Sequence, residues 1–149
     1  MGDKLYFYVS ARAGIPGERS SGICTTGLAT LRRDGFASLD AADTEGTLTT
    51  RLVQFKGRHL FINADVDGGR LQAEVLDADG RVIAPFSREN CRPLEADSTL
   101  APVRWKGADD LARLAGRPVR LRFHLTRGKL YAFWVSSDVS GASGGYVAA

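Results

Sequence analysis

The chain has 149 residues, of which 44% are hydrophobic and 25% charged, and its formal net charge is +3. This length and composition fit one soluble domain with its own core, so neither a metal nor a dense disulfide framework is required to hold it together. No apolar run approaches the roughly 18 residues of a membrane helix, and the basic residues are interspersed with acidic ones. Neither a membrane nor a nucleic acid is therefore expected as a partner.

A period-two alternation of apolar and polar residues, typical of half-buried β-strands, dominates the chain. An apolar, aromatic strand is predicted at the front, over Lys4 to Ser10, and a Gly/Ser-rich loop follows it over Ala11 to Thr26. Two more strands are predicted over Leu28 to Arg33 and Phe36 to Leu39, joined through the turn residues Asp34-Gly35.

The middle of the chain continues this pattern, with strands predicted over Thr47 to Val53, Arg58 to Ala64 and Arg70 to Leu76. The last of these ends in the turn sequence Asp77-Ala78-Asp79-Gly80, and the short apolar run Arg81-Val82-Ile83 follows. The alternating carboxylates of this turn suit a structural calcium ion, but a plain hairpin turn is the favoured interpretation, and no cofactor is expected.

The clearest alternation lies between Pro118 and Thr126. Arg127-Gly128 separates it from an apolar strand over Lys129 to Val135, and a two-residue link of this kind is typical of a hairpin turn. One helical turn is predicted over Ala108 to Ala115, and the residues from Ser136 to Ala149 form a Ser/Gly-rich tail.

About nine short strands at a spacing of roughly 8–12 residues predict an all-β protein. We expect a single domain over residues 1–149, built as a two-sheet antiparallel β-sandwich of the jelly-roll or concanavalin-like type. Within it, residues 4–10 form an edge strand, 11–26 a loop, 27–135 the sandwich body and 136–149 the tail.

Two cysteines, Cys24 and Cys91, leave two interpretations open. In one they form a disulfide that closes a long loop, and in the other both remain buried free thiols. Neither cysteine has a second Cys or His two to four residues away, so no metal site is predicted around them.

Catalytic motifs are absent from the sequence. Neither the Gly-x-Ser-x-Gly nucleophile elbow nor a glycine-rich phosphate or dinucleotide loop occurs. A glycosidase needs two carboxylates that flank one bond, but a solvated loop explains the cluster of Asp40, Asp43 and Glu45 better. His59 and His124 lie on predicted strands, where a solvent-facing histidine is the ordinary case. We therefore assign no catalytic residue and expect no turnover by this chain alone.

Two places combine aromatic, amide, carboxylate and guanidinium groups, the mixture with which proteins bind sugars. The first is the loop from Ser87 to Arg92, with Trp105 and Asp97 further along the chain. The second is a polar sheet face formed by Asn63, Gln72, Glu74, Arg120, Arg122 and His124. A charged, solvated face of a sandwich is the alternative explanation for both.

The two tryptophans receive different interpretations. Trp134 lies in an apolar run and is expected in the core, whereas Trp105 has Arg104 and Lys106 as neighbours and is the candidate for a partly exposed sugar platform. The candidate carbohydrate-binding residues are Trp105, Arg88, Glu89, Asn90 and Asp97.

The most distinctive segment runs from Gly27 to Asp40, with the sequence Gly-Leu-Ala-Thr-Leu-Arg-Arg-Asp-Gly-Phe-Ala-Ser-Leu-Asp. It resembles the junction between a five-bladed propeller and a β-sandwich in bacterial proteins related to glycoside hydrolase family 32, the β-fructosidase group. The segments Phe86 to Leu94, Val103 to Trp105 and Leu121 to Trp134 also look like that C-terminal sandwich. The resemblance covers about residues 3–147.

This resemblance implies two packed antiparallel sheets, with Lys4 to Ser10 as a last outer strand of the propeller end. The family's catalytic carboxylates lie in the propeller, which this chain lacks, so no catalytic residue carries over. The implied role is a non-catalytic accessory domain that binds an oligo- or polysaccharide, or alternatively a purely structural sandwich that packs on the missing propeller domain. The family also implies a secreted or periplasmic location, although Met1-Gly2-Asp3-Lys4 contains no signal segment.

Overall fold

The computed structural model describes residues 2–14, 17 and 21–143. The chain divides into two compact units, Met1–Phe36 and Ala37–Ala149. The described residues form nine strands and one 3-10 turn, and every strand pair is antiparallel. The expected all-β fold is confirmed, while the single domain over 1–149 stays a prediction.

The first unit is a two-stranded ribbon in which β1 (Lys4–Gly14) pairs with β2 (Ser21–Arg32). The predicted front strand is confirmed and is longer than expected. The predicted loop over 11–26 is wrong for residues 11–14 and 21–26, which belong to the two strands. Residue 17 lies in a turn, and residues 15, 16 and 18–20 lie outside the described residues. The β-branched pair Thr25-Thr26 favours extended backbone and continues the ladder beyond the Gly/Ser-rich stretch.

The turn predicted at Asp34-Gly35 is present, but it does not join two strands. Asp34 has a φ of 53°, and the Gly35 N–H donates a hydrogen bond of 3.0 Å to the Arg32 carbonyl. The strand predicted over Phe36 to Leu39 is therefore wrong, since the next strand begins only at Leu39.

The second unit contains two sheets. The order in the four-stranded sheet is β3 (Leu39–Ala41), β9 (Gly128–Ser136), β5 (His59–Asp65) and β7 (Ser98–Pro102). The order in the three-stranded sheet is β4 (Gly46–Thr49), β8 (Arg120–Thr126) and β6 (Arg70–Leu76).

One hydrophobic core lies between these two sheets and confirms the sandwich. The inward residues include Leu60, Ile62, Leu71, Ala73, Val75, Leu121, Phe123 and Leu125. Phe123 of one sheet and Phe133 of the other bring their ring centroids to 4.8 Å. Buried and half-buried residues alternate along β8, as the period-two pattern predicts.

The predicted hairpin at Arg127-Gly128 is wrong, because β8 and β9 belong to different sheets. The chain turns a corner there, with a φ of 45° at Arg127. A Cβ on Gly128 would lie 2.7 Å from the Asp65 carbonyl oxygen, and one on Gly69 would lie 1.8 Å from the Arg127 carbonyl oxygen. The corner and the β5–β6 turn therefore pack backbone against backbone.

Other predictions differ from the structure mainly at strand ends. The strand predicted over Thr47 to Val53 is shorter, and Arg81 to Ile83 forms an isolated bridge at Val82 rather than a strand. The predicted helical turn is a 3-10 turn over Ala112–Leu114. Strand β7 was not predicted, since it is short and ends in a proline.

Candidate functional site

The edge of β6 is closed by side chains. β6 is an edge strand of the three-stranded sheet, and the segment 83–94 runs along it, held by backbone hydrogen bonds. Ala73 donates its N–H to Sγ of Cys91 at 3.2 Å and accepts a hydrogen bond from Nε1 of Trp105 at 3.0 Å. These two side chains satisfy backbone groups that a neighbouring strand would otherwise bind.

Trp105 is a core residue. Only 7% of it is exposed, and its ring packs edge-on against Phe86 at 5.4 Å. The predicted partly exposed platform is therefore wrong. Because side chains alternate along extended chain, Arg104 and Lys106 point outward and turn Trp105 inward. Trp134, expected in the core, is half-buried and stacks on Phe61 at 5.7 Å.

Both cysteines are free thiols in the structure, but only one is buried, so the interpretation of two buried free thiols is borne out in part. Cys91 is buried, as that interpretation expects, and burial raises the pKa of its thiol. Cys24 is exposed rather than buried.

A surface groove of about 480 Å³ opens beside the Cys91–Trp105 bridge. The N–H of Arg92 donates to the Arg104 carbonyl and that of Lys106 to the Asn90 carbonyl, both at 2.9 Å. Since Cys91 and Trp105 face the core, the residues beside them face the groove. The groove is lined by Gln72, Glu89, Asn90, Cys91, Arg92, Pro93, Arg104, Trp105 and Lys106.

A cluster of charged side chains covers the outer face of the three-stranded sheet. His124 on β8 lies opposite Gln72 on β6, and its side chain is only 12% exposed. Its Nδ1 lies 3.3 Å from Oε1 of Glu45, and its Nε2 lies 3.2 Å from Oε1 of Glu74. The expectation of a solvent-facing histidine is corrected, because carboxylates from both sides cover the ring.

Each carboxylate of this cluster also binds a guanidinium group. Arg88 donates two hydrogen bonds to Glu45, of 2.9 and 2.5 Å, and Arg122 donates one of 3.0 Å to Glu74. The Arg88 hydrogen bonds and charge, with a smaller effect of His124, hold the pKa of Glu45 below its ordinary value. Desolvation acts in the opposite direction.

This cluster lacks the geometry of a glycosidase pair. The imidazole of His124 lies between Glu45 and Glu74, whereas a glycosidase needs two carboxylates that flank one open bond. Both ring nitrogens are within hydrogen-bonding distance of carboxylates, so neither is aimed at a substrate as a general base would be. The arrangement can fix charges on a sheet face and rigidify the wall of the groove.

Gln72 joins the cluster to the groove. Its Nε2 donates to the backbone carbonyls of Arg88 and Cys91, at 3.1 and 3.2 Å. One side chain from β6 therefore holds the backbone carbonyls on either side of Glu89 and Asn90, two residues of the groove lining. This contact connects parts of the two places that the sequence singled out.

The residues predicted for sugar binding are only partly brought together. Glu89, Asn90 and the buried Trp105 line the groove, whereas Arg88 is engaged with Glu45. Asp97 is exposed on the segment before β7 and is not among the groove-lining residues. Their role in carbohydrate binding stays a prediction.

The second predicted place is also divided. Gln72, Glu74, Arg122 and His124 share one sheet face, as expected, but Asn63 is buried on β5 of the other sheet. Arg120 also lies on β8, where its guanidinium donates to the Thr50 carbonyl at 3.1 Å. Glu45 was missed as a member, because its partners lie far along the chain and no local pattern indicates them.

The turn after β6 is held by hydrogen bonds and an ion pair within it. Oδ1 of Asp77 accepts hydrogen bonds from the N–H groups of Asp79 and Arg81, at 2.9 and 2.8 Å, and the Asp79 carboxylate pairs with Arg81. These contacts form the plain turn that the sequence favoured. Across the described ranges, no group of three or more His, Cys, Asp or Glu residues has a metal-binding arrangement.

Within residues 2–14, 17 and 21–143, no helix has the length and apolar character needed to cross a membrane. No protein-family model, curated protein or solved structure matches the chain. The resemblance to glycoside hydrolase family 32 therefore depends on the quoted residues alone.

Proposed function

We propose that this chain is a non-catalytic accessory domain of a larger, secreted or periplasmic bacterial glycoside hydrolase, and that it binds an oligo- or polysaccharide. The observation that carries the proposal is the groove, where amide, carboxylate, guanidinium and ammonium groups converge around exposed Pro93. Sugar sites combine hydrogen-bonding groups with a small apolar surface in this way. With Trp105 buried, Pro93 replaces it as the surface for sugar C–H groups.

The rigid backbone of the groove walls supports this proposal. Asn90 donates from its Nδ2 to the Pro85 carbonyl at 2.9 Å, and the backbone bonds of Arg92 and Lys106 fix the groove walls. A prepositioned site loses less entropy on binding. Affinity for one sugar unit is expected to be low, because hydroxyl contacts replace contacts with water.

The charged groups of the groove support a binding role over catalysis, because a glycosidase needs two carboxylates that flank one bond. Of the residues that line the groove, only Glu89 carries a carboxylate. Hydrogen bonds from its own backbone and from Ser87, with the charges of Arg88 and His124, hold its pKa below the ordinary value. A general acid of a glycosidase would need the opposite shift.

Affinity electrophoresis of the whole chain through gels that contain fructans, xylans, β-glucans or pectins tests the proposal. We expect retention on one class, and loss of that retention in the double variant Glu89→Ala/Pro93→Ser. The matched control is Glu95→Ala/Pro118→Ser, which changes the same residue types at exposed positions outside the groove lining. A folded, monodisperse chain that no polysaccharide retains, or equal retention of both variants, would overturn the proposal.

One observation favours the alternative, a structural sandwich that packs on an absent propeller domain. The two-stranded ribbon of the first unit leaves Tyr6, Tyr8 and Leu28 exposed by 61%, 82% and 55%. Isolated two-stranded ribbons are marginal in water, and exposed aromatic residues of this size are typical of contact surfaces.

Replacement of Tyr6 and Tyr8 by threonine, which also favours strands, tests this alternative. If these rings serve only an absent partner, the free energy of unfolding should change by less than about 0.5 kcal/mol. The binding of a hydrophobic dye should also fall. A large loss of stability would instead show that the rings support the fold of this chain.

A further inference from the structure

We infer that the groove selects anionic sugars, and that Arg92, Arg104 and Lys106 bind carboxylate or sulfate groups carried on the sugar rings. This inference rests on the proposed function, because it takes the groove to be a sugar site. It adds the chemical class of the ligand.

The first observation is a pair of like charges beside an isolated β-bridge. Cys91 and Trp105 form an antiparallel bridge, so the next residues outward, Arg92 and Arg104, lie opposite each other on the same face. Like charges directly opposite each other destabilise a strand pair. Lys106 lines the same groove and adds a third cation.

The second observation is that these cations have no partner among the residues that the structure describes. In the part of the chain that the structure describes, the side chains of Arg92, Arg104 and Lys106 form no hydrogen bond or ion pair. By contrast, Arg88 and Arg122 in the adjoining cluster each bind a glutamate. The cluster is internally neutralised, whereas the groove is not.

The single carboxylate of the groove does not offset the three cations. Glu89 is engaged by its own backbone and Ser87, and the charges that act on its pKa are those of Arg88 and His124. An anionic ligand would supply the missing negative charge. Guanidinium groups bind carboxylate and sulfate oxygens through charge-assisted, often bidentate, hydrogen bonds.

The size and surroundings of the groove favour a sugar over other polyanions. Its volume of about 480 Å³ is within the range of small-molecule sites and suits one or two sugar rings. Proteins that bind single-stranded nucleic acid combine a basic channel with exposed aromatic side chains on which the bases stack. The one aromatic residue of the groove, Trp105, is buried.

The test compares polymers that differ only in charge. Polygalacturonate is paired with its methyl ester, and chondroitin sulfate with desulfated, carboxyl-reduced chondroitin, each in affinity electrophoresis with the whole chain. We expect the acidic member to bind at least about tenfold more tightly at low salt, and this preference to shrink near ~0.15 M salt as charges are screened.

The variant Arg92→Gln/Arg104→Gln should abolish the preference for the acidic polymer. Arg51→Gln/Arg117→Gln is the matched control, because it makes the same change in net charge at exposed arginines outside the groove lining. Circular dichroism checks that both variants fold. If Arg92→Gln/Arg104→Gln does not fold, Lys106→Gln provides a second groove variant.

Each outcome bears on the inference. A preference in the uronate arm, the sulfate arm or both supports it and identifies the anionic group. Equal binding of acidic and neutral partners overturns it and leaves the proposed function intact, whereas no binding to any polymer overturns both. Equal loss in the control variant, or equal retention on single-stranded DNA, also overturns it, since net charge alone would then explain binding.

Discussion

The indole N–H of Trp105 donates a hydrogen bond of 3.0 Å to the backbone carbonyl of Ala73, on the outer edge of strand β6. The ring therefore caps a sheet edge and also forms the floor of the groove. Its outward neighbours, Arg104 and Lys106, become groove walls for the same reason. Core packing and the position of the candidate site thus depend on one residue.

Replacement of Trp105 should affect stability before it affects binding. Trp105→Phe keeps most of the packing but leaves the Ala73 carbonyl without its donor, so we expect a loss of about 1–3 kcal/mol in the free energy of unfolding. Trp105→Ala also creates a cavity and should lose about 3–5 kcal/mol. Urea unfolding followed by circular dichroism measures both. A fully stable Trp105→Ala variant would contradict a core role.

The ion pair of Glu45 and Arg88 should make stability depend on pH. Arg88 lowers the folded-state pKa of Glu45 below its ordinary value of 4.5. The pair therefore stabilises the fold fully above that ordinary value, and its contribution is lost as the pH falls through the lower, folded-state pKa. His124 contributes in the same direction through its contact with Glu45.

Arg88→Met should therefore be less stable than the parent chain at neutral pH, by up to about 1 kcal/mol for a partly exposed pair. The difference should shrink in the acid range, where Glu45 is protonated in both states. Chemical unfolding across this range measures the difference. Arg70→Met, at an exposed arginine, is the control. If the difference in free energy of unfolding between Arg88→Met and the parent chain stays constant with pH, the Glu45–Arg88 ion pair is not its source.

Any side chain at position 69 should reduce stability. A Cβ there would lie 1.8 Å from the Arg127 carbonyl oxygen, so Gly69→Ala must push the β5–β6 turn away from the β8–β9 corner. We expect a loss of about 1–3 kcal/mol or more, as for other overpacked sites. Gly46→Ala is the control, since its nearest neighbour would be at 3.5 Å. Equal melting temperatures for both variants would show that the corner is not tightly packed.

Individual strands were predictable where the sequence alternates clearly between apolar and polar residues, because this pattern is local. The alternation over Arg70 to Leu76 and around Phe123 fixed which residues face the core, because a half-buried strand leaves little choice. The sheet assignment of β8 and β9 was not predictable, since Arg127-Gly128 suits a hairpin and a corner between sheets equally well. Only the packing of both sheets on one core distinguishes a corner between sheets from a hairpin.

Some residues of the candidate site were predictable from the sequence, but the contacts between them were not. The charged neighbours of Trp105 suggested exposure, yet strict alternation through Arg104, Trp105 and Lys106 would have turned the ring inward. The contacts of Glu45 with Arg88 and His124 join distant parts of the chain, so they follow from strand pairing and not from any local motif.

Titration of the ¹⁵N-labelled chain with an oligosaccharide from the best-retained polymer tests most directly whether the groove binds sugar. The largest amide shifts should fall on Asn90, Arg92 and Lys106, while Arg51 and Arg117 should not move. Shifts of this pattern that saturate would place the ligand in the groove beside the Cys91–Trp105 bridge. Shifts centred elsewhere, or none with any oligosaccharide, would contradict a carbohydrate-binding role for this groove.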